Sequence, residues 1–302
     1  MALVRCASDA RKNVPTALDG SIKELFHKAS VELQDPAQTN DARVHGTRKC
    51  LKKLRALSPL LTAMERERLS SADRFALRMV ARSLGRVRAP AAELAAWADF
   101  SSTLDSDPPA IAEQLLEQRR APAMVMDQRI QRSARVLVGL EQRVSRRTAE
   151  EVSAEEYDQD ALLKSLRRAY RKGRRAMQRA QAAPGWERLH ALRRASKYHR
   201  YQLQFLGLFF KKQVKTARSR LGKLTDELGT HHDLGGIERY LSGESAFLKH
   251  PRGRKTLKKL RQRMRVIEDR CLELAGTSFR ERPSAFERRI RRYFEGARAD
   301  HS

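Results

Sequence analysis

Apolar residues recur at intervals of three and four along most of this chain, with charged and polar residues between them. In LLKSLRRAYRKGRRAMQRA the interval is kept by Leu162, Leu166, Ala169, Gly173, Ala176 and Ala180. Between positions 126 and 144 it is kept by Met126, Ile130, Leu137, Leu140 and Val144. One face of a 3.6-residue helix repeats in this way, whereas a half-buried strand alternates every second residue. Alternating β-branched runs are hard to find, so the chain reads as all-α. Breaks between helices are expected at Asp35-Pro36, Ala89-Pro90, Asp107-Pro108-Pro109, Ala121-Pro122, Pro184-Gly185 and Pro251. Pro59 should stop or kink its helix near Leu57. The phrase SAEE at 153–156 has the form of a capping box and should open the helix that runs through Leu166. These breaks leave about ten to twelve helices with short connections, the pattern of packed bundles.

One pattern is written twice. VHGTRKCLKKLRALSPLL at 44–61 and LHALRRASKYHRYQLQFL at 189–206 each carry a histidine followed by basic residues at +3, +4, +7 and +10. A Leu-Gly pair follows at nearly the same distance in both cases, about 40 residues after the histidine, ending at Gly85 and at Gly229. A shared spacing over this length argues for an internal duplication. The acidic stretch EEVSAEEYDQD lies near mid-chain and marks the junction. The expected architecture is therefore two tandem helical bundles, 1–150 and 151–302, related by an internal pseudo-two-fold axis that turns like surfaces toward one shared groove.

Charge sharpens this picture. Lys and Arg number 63 against 36 Asp and Glu, a formal charge of +27. Such an excess raises the local concentration of anions and makes a polyanion the default partner: nucleic acid, an anionic membrane surface or another phosphate chain. On a helix, positions +3, +4, +7 and +10 lie about −60°, +40°, −20° and −80° from the histidine. In the first half these are Arg48, Lys49, Lys52 and Arg55, with Lys53 at the edge of the stripe. In the second they are Arg193, Arg194, Lys197 and Arg200, with Tyr198 in place of the lysine. Val44, Leu51, Leu54 and Leu57 line the other side of the first helix, and Leu189, Leu192, Ala195 and Leu203 that of the second. No acid interrupts the cations between Arg43 and Arg55. Like charges at i,i+3 and i,i+4 repel by a few tenths of a kcal/mol per pair, so an external anion should complete the stripe. Its axial length, about 15 Å, suits an extended chain of charges.

His45 should lie in the first turns of its helix behind an Asn40 or Asp41 N-cap, and His190 behind Pro184-Gly185. A helix N-terminus offers free N–H groups and partial positive charge to an anion, and a neutral imidazole there can donate one hydrogen bond. The plain alternative is a pair of core histidines satisfied by backbone carbonyls. Further cations on the helices that follow, Arg78, Arg82 and Arg88 in the first half and Lys211, Lys215, Arg218 and Lys223 in the second, extend the candidate surface or form a solvated face. FERRIRRYF near the C-terminus is an amphipathic basic helix that either docks structurally or makes a separate contact. HHDL at 231–234 reads as a helix-start cluster, since adjacent histidines on a helix point about 100° apart.

Several function classes are disfavoured. Cys6, Cys50 and Cys271 show no metal-ligand spacing, and free thiols suit a reducing compartment. The first residues lack the apolar core of a secretory signal, and no run is long and apolar enough to span a bilayer. The chain is expected to be soluble and cytoplasmic. It contains no GxxxxGK[ST] loop and no GxSxG elbow, and no carboxylate cluster for Mg²⁺ stands beside the stripes.

The two extended motifs, each followed by Leu-Gly, resemble the CHAD family, the histidine-bearing α-helical domain, over roughly residues 22–294. That resemblance implies two helical bundles enclosing a basic groove or channel that binds inorganic polyphosphate, without catalysis or a cofactor, at polyphosphate granules in a prokaryotic cytoplasm. It assigns binding to His45, Arg48, Lys52, Lys53, Arg55 and Arg88, and to His190, Arg193, Lys197 and Arg200. Departures occur where the family's Arg-Asp after the first Leu-Gly is Arg88-Ala89 followed by Pro90, and where Tyr198 and His199 replace a basic and an apolar residue. Some relatives carry a triphosphate-cleaving tunnel domain with an ExExK strand motif; none occurs here. Two other readings are a nucleic-acid-binding protein, disfavoured by the 6 % aromatic content, and a phosphohydrolase or kinase using the same groove.

Overall fold

The computed structural model describes residues 10–64, 69–105, 107–149 and 157–299. Among these residues there are eleven helices and no strand: α1 (Ala10–Gln34), α2 (Asn40–Ala63), α3 (Ser71–Ser101), α4 (Ala110–Gln118), α5 (Ala123–Ala149), α6 (Gln159–Ala182), α7 (Trp186–Leu206), α8 (Lys211–Leu241), α9 (Ser245–Lys249), α10 (Gly253–Ser278) and α11 (Pro283–Ala299). Asp35-Pro36, Asp107-Pro108-Pro109, Ala121-Pro122, Pro184-Gly185 and Pro251 all fall between helices, as their chemistry demands.

Two of the prolines read as breaks do not. α2 runs through Pro59 and α3 through Pro90, which corrects the breaks expected there. A proline inside a helix removes an N–H and crowds the carbonyl one turn back, so the carbonyls around it need other donors. Across the molecule, Gln202 Nε2 donates to the Ala56 carbonyl at 3.0 Å and Ser165 Oγ to the Pro59 carbonyl at 3.3 Å. These side chains from the second half add donors at two carbonyls of the turn that holds Pro59; the donor that the proline itself removes is the one to the Arg55 carbonyl.

Helix starts also differ in detail. The N-cap of α2 is Thr39, whose hydroxyl accepts from the Ala42 N–H, rather than Asn40 or Asp41. Ser70 and Asp73 form a capping box on α3, and Arg143 and Arg147 of α5 bind the same Asp73 carboxylate at 3.1 and 2.6 Å. The expected box at 153–156 lies outside the described residues; α6 starts at Gln159 with Asp158 accepting from the Ala161 N–H. HHDL is in the interior of α8, not at a helix start.

In the first half α2 packs against α1 and α3, and α5 closes the bundle against α1 and α3; in the second α7 packs between α6 and α8, and α10 against α8. The halves meet where α2 touches α7 and α3 touches α8. Their buried side chains form one connected cluster from Val14 to Phe294. Val44, Leu51, Leu54 and Leu57 are buried on α2, and Leu189, Leu192, Ala195 and Leu203 on α7. Each such side chain contributes about 1.5–3 kcal/mol relative to exposure, enough to hold the cationic edges of the same helices in fixed orientation. α11 is docked structurally: Phe286, Ile290 and Phe294 are at most 1 % exposed, and Phe286 stacks on Tyr170 of α6. Gly173 is required where α6 passes Phe279, because a Cβ there would overlap the ring.

Candidate functional site

Lys52 of α2 and Lys197 of α7 sit at the junction of the two halves, close enough for each to act on the other's charge. Burial pushes Lys52 down to about 8, reinforced by Arg48 and Arg193. Burial likewise pushes Lys197 down to about 7, reinforced by Arg193 and by Lys52 itself. Arg88 of α3 also acts on Lys52 and on Arg48. Five cations from three helices, α2, α3 and α7, therefore converge: Arg48, Lys52, Arg88, Arg193 and Lys197.

The two arginines are held by matching locks. Arg48 Nη1 donates to the Ala81 carbonyl of α3 at 2.7 Å, and Arg193 Nη1 to the Thr225 carbonyl of α8 at 2.9 Å. A Cβ on Gly85 would lie 2.7 Å from Arg48 Nη1, and one on Gly229 would lie 2.7 Å from Arg193 Nη1. The glycine of each Leu-Gly pair thus lets a helix approach the guanidinium of the preceding motif. Both histidines are met by the residue three positions after that glycine. Arg88 Nε lies 3.4 Å from His45 Nδ1, and His232 Nδ1 lies 3.2 Å from His190 Nδ1. The spacing noted in the sequence is the spacing of these contacts.

Replacing Gly85 or Gly229 with alanine should favour the helix by about 0.5–1 kcal/mol while displacing the guanidinium beside it. We expect the Gly85→Ala/Gly229→Ala protein to stay folded, the helix gain offsetting part of the two disturbed carbonyl bonds, yet bind its anion about tenfold more weakly, close to one lost charged hydrogen bond. Thermal melts and a binding titration on the same sample check both halves of that expectation.

Burial lowers the pKa of His45, aided by Arg88, Lys52 and Lys49, and that of His190, aided by Arg194 and Arg193. His232 is pushed down to about 4 by burial and then by His190. At neutral pH these imidazoles are uncharged and offer hydrogen bonds rather than charge. Trp186, at the start of α7, stacks on both His190 and His232 at 5.4 and 5.3 Å, and Arg239 lies 3.4 Å over its ring.

The stripes are not free of acid. Asp233 of α8 faces Arg193, Arg88, Lys197 and Lys52, and exposed Asp226 lies 3.5 Å from Arg200. Asp233 follows Gly229 by four positions, where Ala89 follows Gly85, so it has no counterpart in the first half. Burial raises the pKa of its carboxyl against the pull of those four cations. Asp226 also acts on Arg193 and Lys197, so two acids, one of them exposed, stand against five cations and the cluster stays positive.

Other expected positions are dispersed. Lys53 is turned toward Glu24 and Lys28 of α1, away from the junction, so the edge of the first stripe belongs to a different surface. Lys49, Arg55 and Arg194 are exposed at the rim, and Arg55 acts on Arg48 and on the half-buried Tyr198. Arg78 lies over the Phe75 ring, and Arg82 is exposed on α3. On α8, Lys211, Lys215 and Lys223 are exposed, while Arg218 fills the space beside Gly207. Arg200 donates to Thr225 Oγ1 at 2.7 Å, which ties it to the carbonyl that holds Arg193. His199 is fully enclosed by Tyr170, Phe279 and Phe286 and pushed down to about 3, burial first and Arg289 second; a neutral ring there packs as an apolar one. Asp233, His232 and Trp186 are the site residues that the stripe pattern did not single out.

The arrangement can hold an elongated anion by hydrogen bonds from several cations at once. Among the described residues no group of three or more His, Cys, Asp or Glu is placed to bind a metal ion, and no helix is long and apolar enough to cross a membrane. A cleft of about 490 Å³ at the start of α2 is lined by His45 and Arg88 together with Glu32 and Asp41; its mixed charge makes it an edge of the site rather than its centre.

No curated protein matches the chain. The fold is similar to the crystal structure of the CHAD domain from the plant Ricinus communis, with a TM-score of 0.59 and 15 % identity over 93 % of this chain and 94 % of that one. Residues 23–236 match the family model of the CHAD domain. With both histidine motifs and both Leu-Gly locks inside the matched region, the chain belongs to the CHAD family, a family with a known capacity to bind polyphosphate.

Proposed function

We propose that this protein binds inorganic polyphosphate between α2 and α7, without catalysis, and that binding places it at polyphosphate granules in the cytoplasm. The observation that carries this reading is the convergence of Arg48, Lys52, Arg88, Arg193 and Lys197 on one junction with Asp233 and exposed Asp226 as the acids facing them. An uncompensated buried charge is costly, and a ligand that returns one negative charge per phosphate along a narrow chain removes that cost at several cations together. Charge-assisted hydrogen bonds to phosphate contribute about 1.5–3 kcal/mol each, so affinity comes from their number. The non-bridging oxyanions need no base pocket, no aromatic platform and no metal ligand set.

Nucleic acid is the weaker alternative. Base stacking needs an open aromatic face, and Trp186 is already packed against His190, His232 and Arg239. In competition at about 150 mM salt, long-chain polyphosphate should displace duplex DNA, while DNA of equal charge should leave bound polyphosphate in place. The opposite order of displacement would favour the nucleic-acid reading. Orthophosphate released from polyphosphate with Mg²⁺ present would contradict the non-catalytic one.

A further inference from the structure

A second line of cations runs along the outside of α6, a helix that contributes none of the five converging cations. Lys164, Arg168, Arg171, Lys172, Arg175 and Arg179 are all exposed. Their positions, 0, +4, +7, +8, +11 and +15, fall within an arc of about 100° on the helix and extend about 22 Å along it. None of the six has an ion pair or a side-chain hydrogen bond among the described residues. The sequence from Ala161 to Trp186 contains no Asp or Glu at all.

Elsewhere on the same helix the protein does satisfy its cations. Arg167 pairs with Glu287 of α11 at 2.8 Å, and Arg174 donates to the carbonyls of Phe279, Arg280 and Glu281 at 2.8, 2.8 and 2.9 Å. The six on the ridge are left facing one another at i,i+3 and i,i+4, an arrangement that disfavours the helix unless an anion lies over it. The opposite face is anchored by Leu162, Leu166 and Met177 in the core, so the ridge is presented outward in a fixed direction.

From this we infer that α6 is a second polyphosphate-binding surface, one that takes a separate chain or a distant segment of the same chain and so makes the protein a cross-linker of polyphosphate. The inference rests on the polyphosphate reading above. A flexible single chain can follow a ridge one helix wide, with consecutive charges meeting consecutive side chains. Duplex DNA divides its charge between two strands on either side of a groove, and such a ridge could meet only one of them. The ridge also lacks aromatic side chains among its six members, which removes any hold on unpaired bases.

Two polyphosphate lengths separate the surfaces. Short chains report the junction site by calorimetry; long chains report cross-linking by light scattering. In the variant Lys164→Glu/Arg168→Glu/Arg171→Glu/Arg175→Glu, short-chain affinity should stay within about threefold of the wild type, since distant sites act independently. Scattering with long chains should fall by about tenfold or more, as the second point of attachment is lost. The same four positions changed to Gln provide the test should the Glu variant fold poorly. Undiminished scattering in both variants would overturn the inference, as would a loss of duplex DNA binding with scattering unchanged. Failure of the underlying reading looks different: the wild type itself would bind neither short nor long chains.

Discussion

The double variant Lys52→Met/Lys197→Met should be more stable than the wild type and should bind polyphosphate at least about a hundredfold more weakly, two charged hydrogen bonds at the lower end of their usual strength. The two effects share a cause. Holding Lys52 charged at neutral pH, against a pKa of about 8 in the folded protein, costs the fold roughly 3 kcal/mol relative to an unperturbed lysine. Lys197, pushed to about 7, is worse placed. Methionine keeps the length and flexibility of the chain while removing the charge. We expect a gain of about 1–4 kcal/mol, or several degrees in melting temperature. A variant that loses affinity and stability together would mean that the lysines brace the fold instead of waiting for an anion. Arg48 and Arg193 are poorer choices for such a test, because each holds a backbone carbonyl of the neighbouring helix; reversing them would perturb packing and binding at once.

Affinity should fall as pH rises from about 7 to 9, while the free protein becomes more stable over the same range. In the unliganded protein Lys197 and Lys52 lose their protons near 7 and 8, but in the unfolded chain near 10.4. Between those limits the unfolded chain binds more protons than the folded one, so stability increases with pH. A bound anion reverses the balance: it favours the protonated lysines and raises their pKa values toward normal. Binding is then undiminished below pH 7 and weakens above it, by up to about tenfold per pH unit for each lysine that must take up a proton. The groups facing the pair set the window. Arg48, Arg88 and Arg193 hold it low, Asp233 and Asp226 oppose them, and neutral His45 lies beside both lysines. Binding titrations at half-unit steps, paired with thermal melts of the free protein, should cross in opposite directions.

Much of this site was legible in the spacing of charged and apolar residues. The stripes on α2 and α7 lie where the helical period puts them because the same period buries Leu51, Leu54, Leu189 and Leu192. The Leu-Gly pairs were visible as a repeated interval. Their purpose was not, since the approach of Arg48 to Gly85 and of Arg193 to Gly229 joins residues more than thirty positions apart. Lys53 shows the limit of the angular argument. At the margin of a stripe, the neighbour that happens to pack alongside decides the surface, and here that neighbour is α1. Asp233 was hidden for a related reason: in HHDL three adjacent polar residues leave one helix in three directions. His231 turns toward Glu268, His232 toward His190, and Asp233 into the cations. Pro59 and Pro90 misled because proline marks a helix end only when nothing else stabilises the turn around it. At Pro59 that help comes from Gln202 and Ser165, about a hundred residues or more away in sequence.

Calorimetric titration with polyphosphate at pH 8, repeated in two buffers of different ionisation enthalpy, counts the protons that binding takes up. The wild type should absorb between about one and two protons per bound chain, as both lysines regain charge, and the Lys52→Met/Lys197→Met protein should absorb close to none. Equal uptake by the two proteins, or none by either, would place the polyphosphate somewhere other than between α2 and α7.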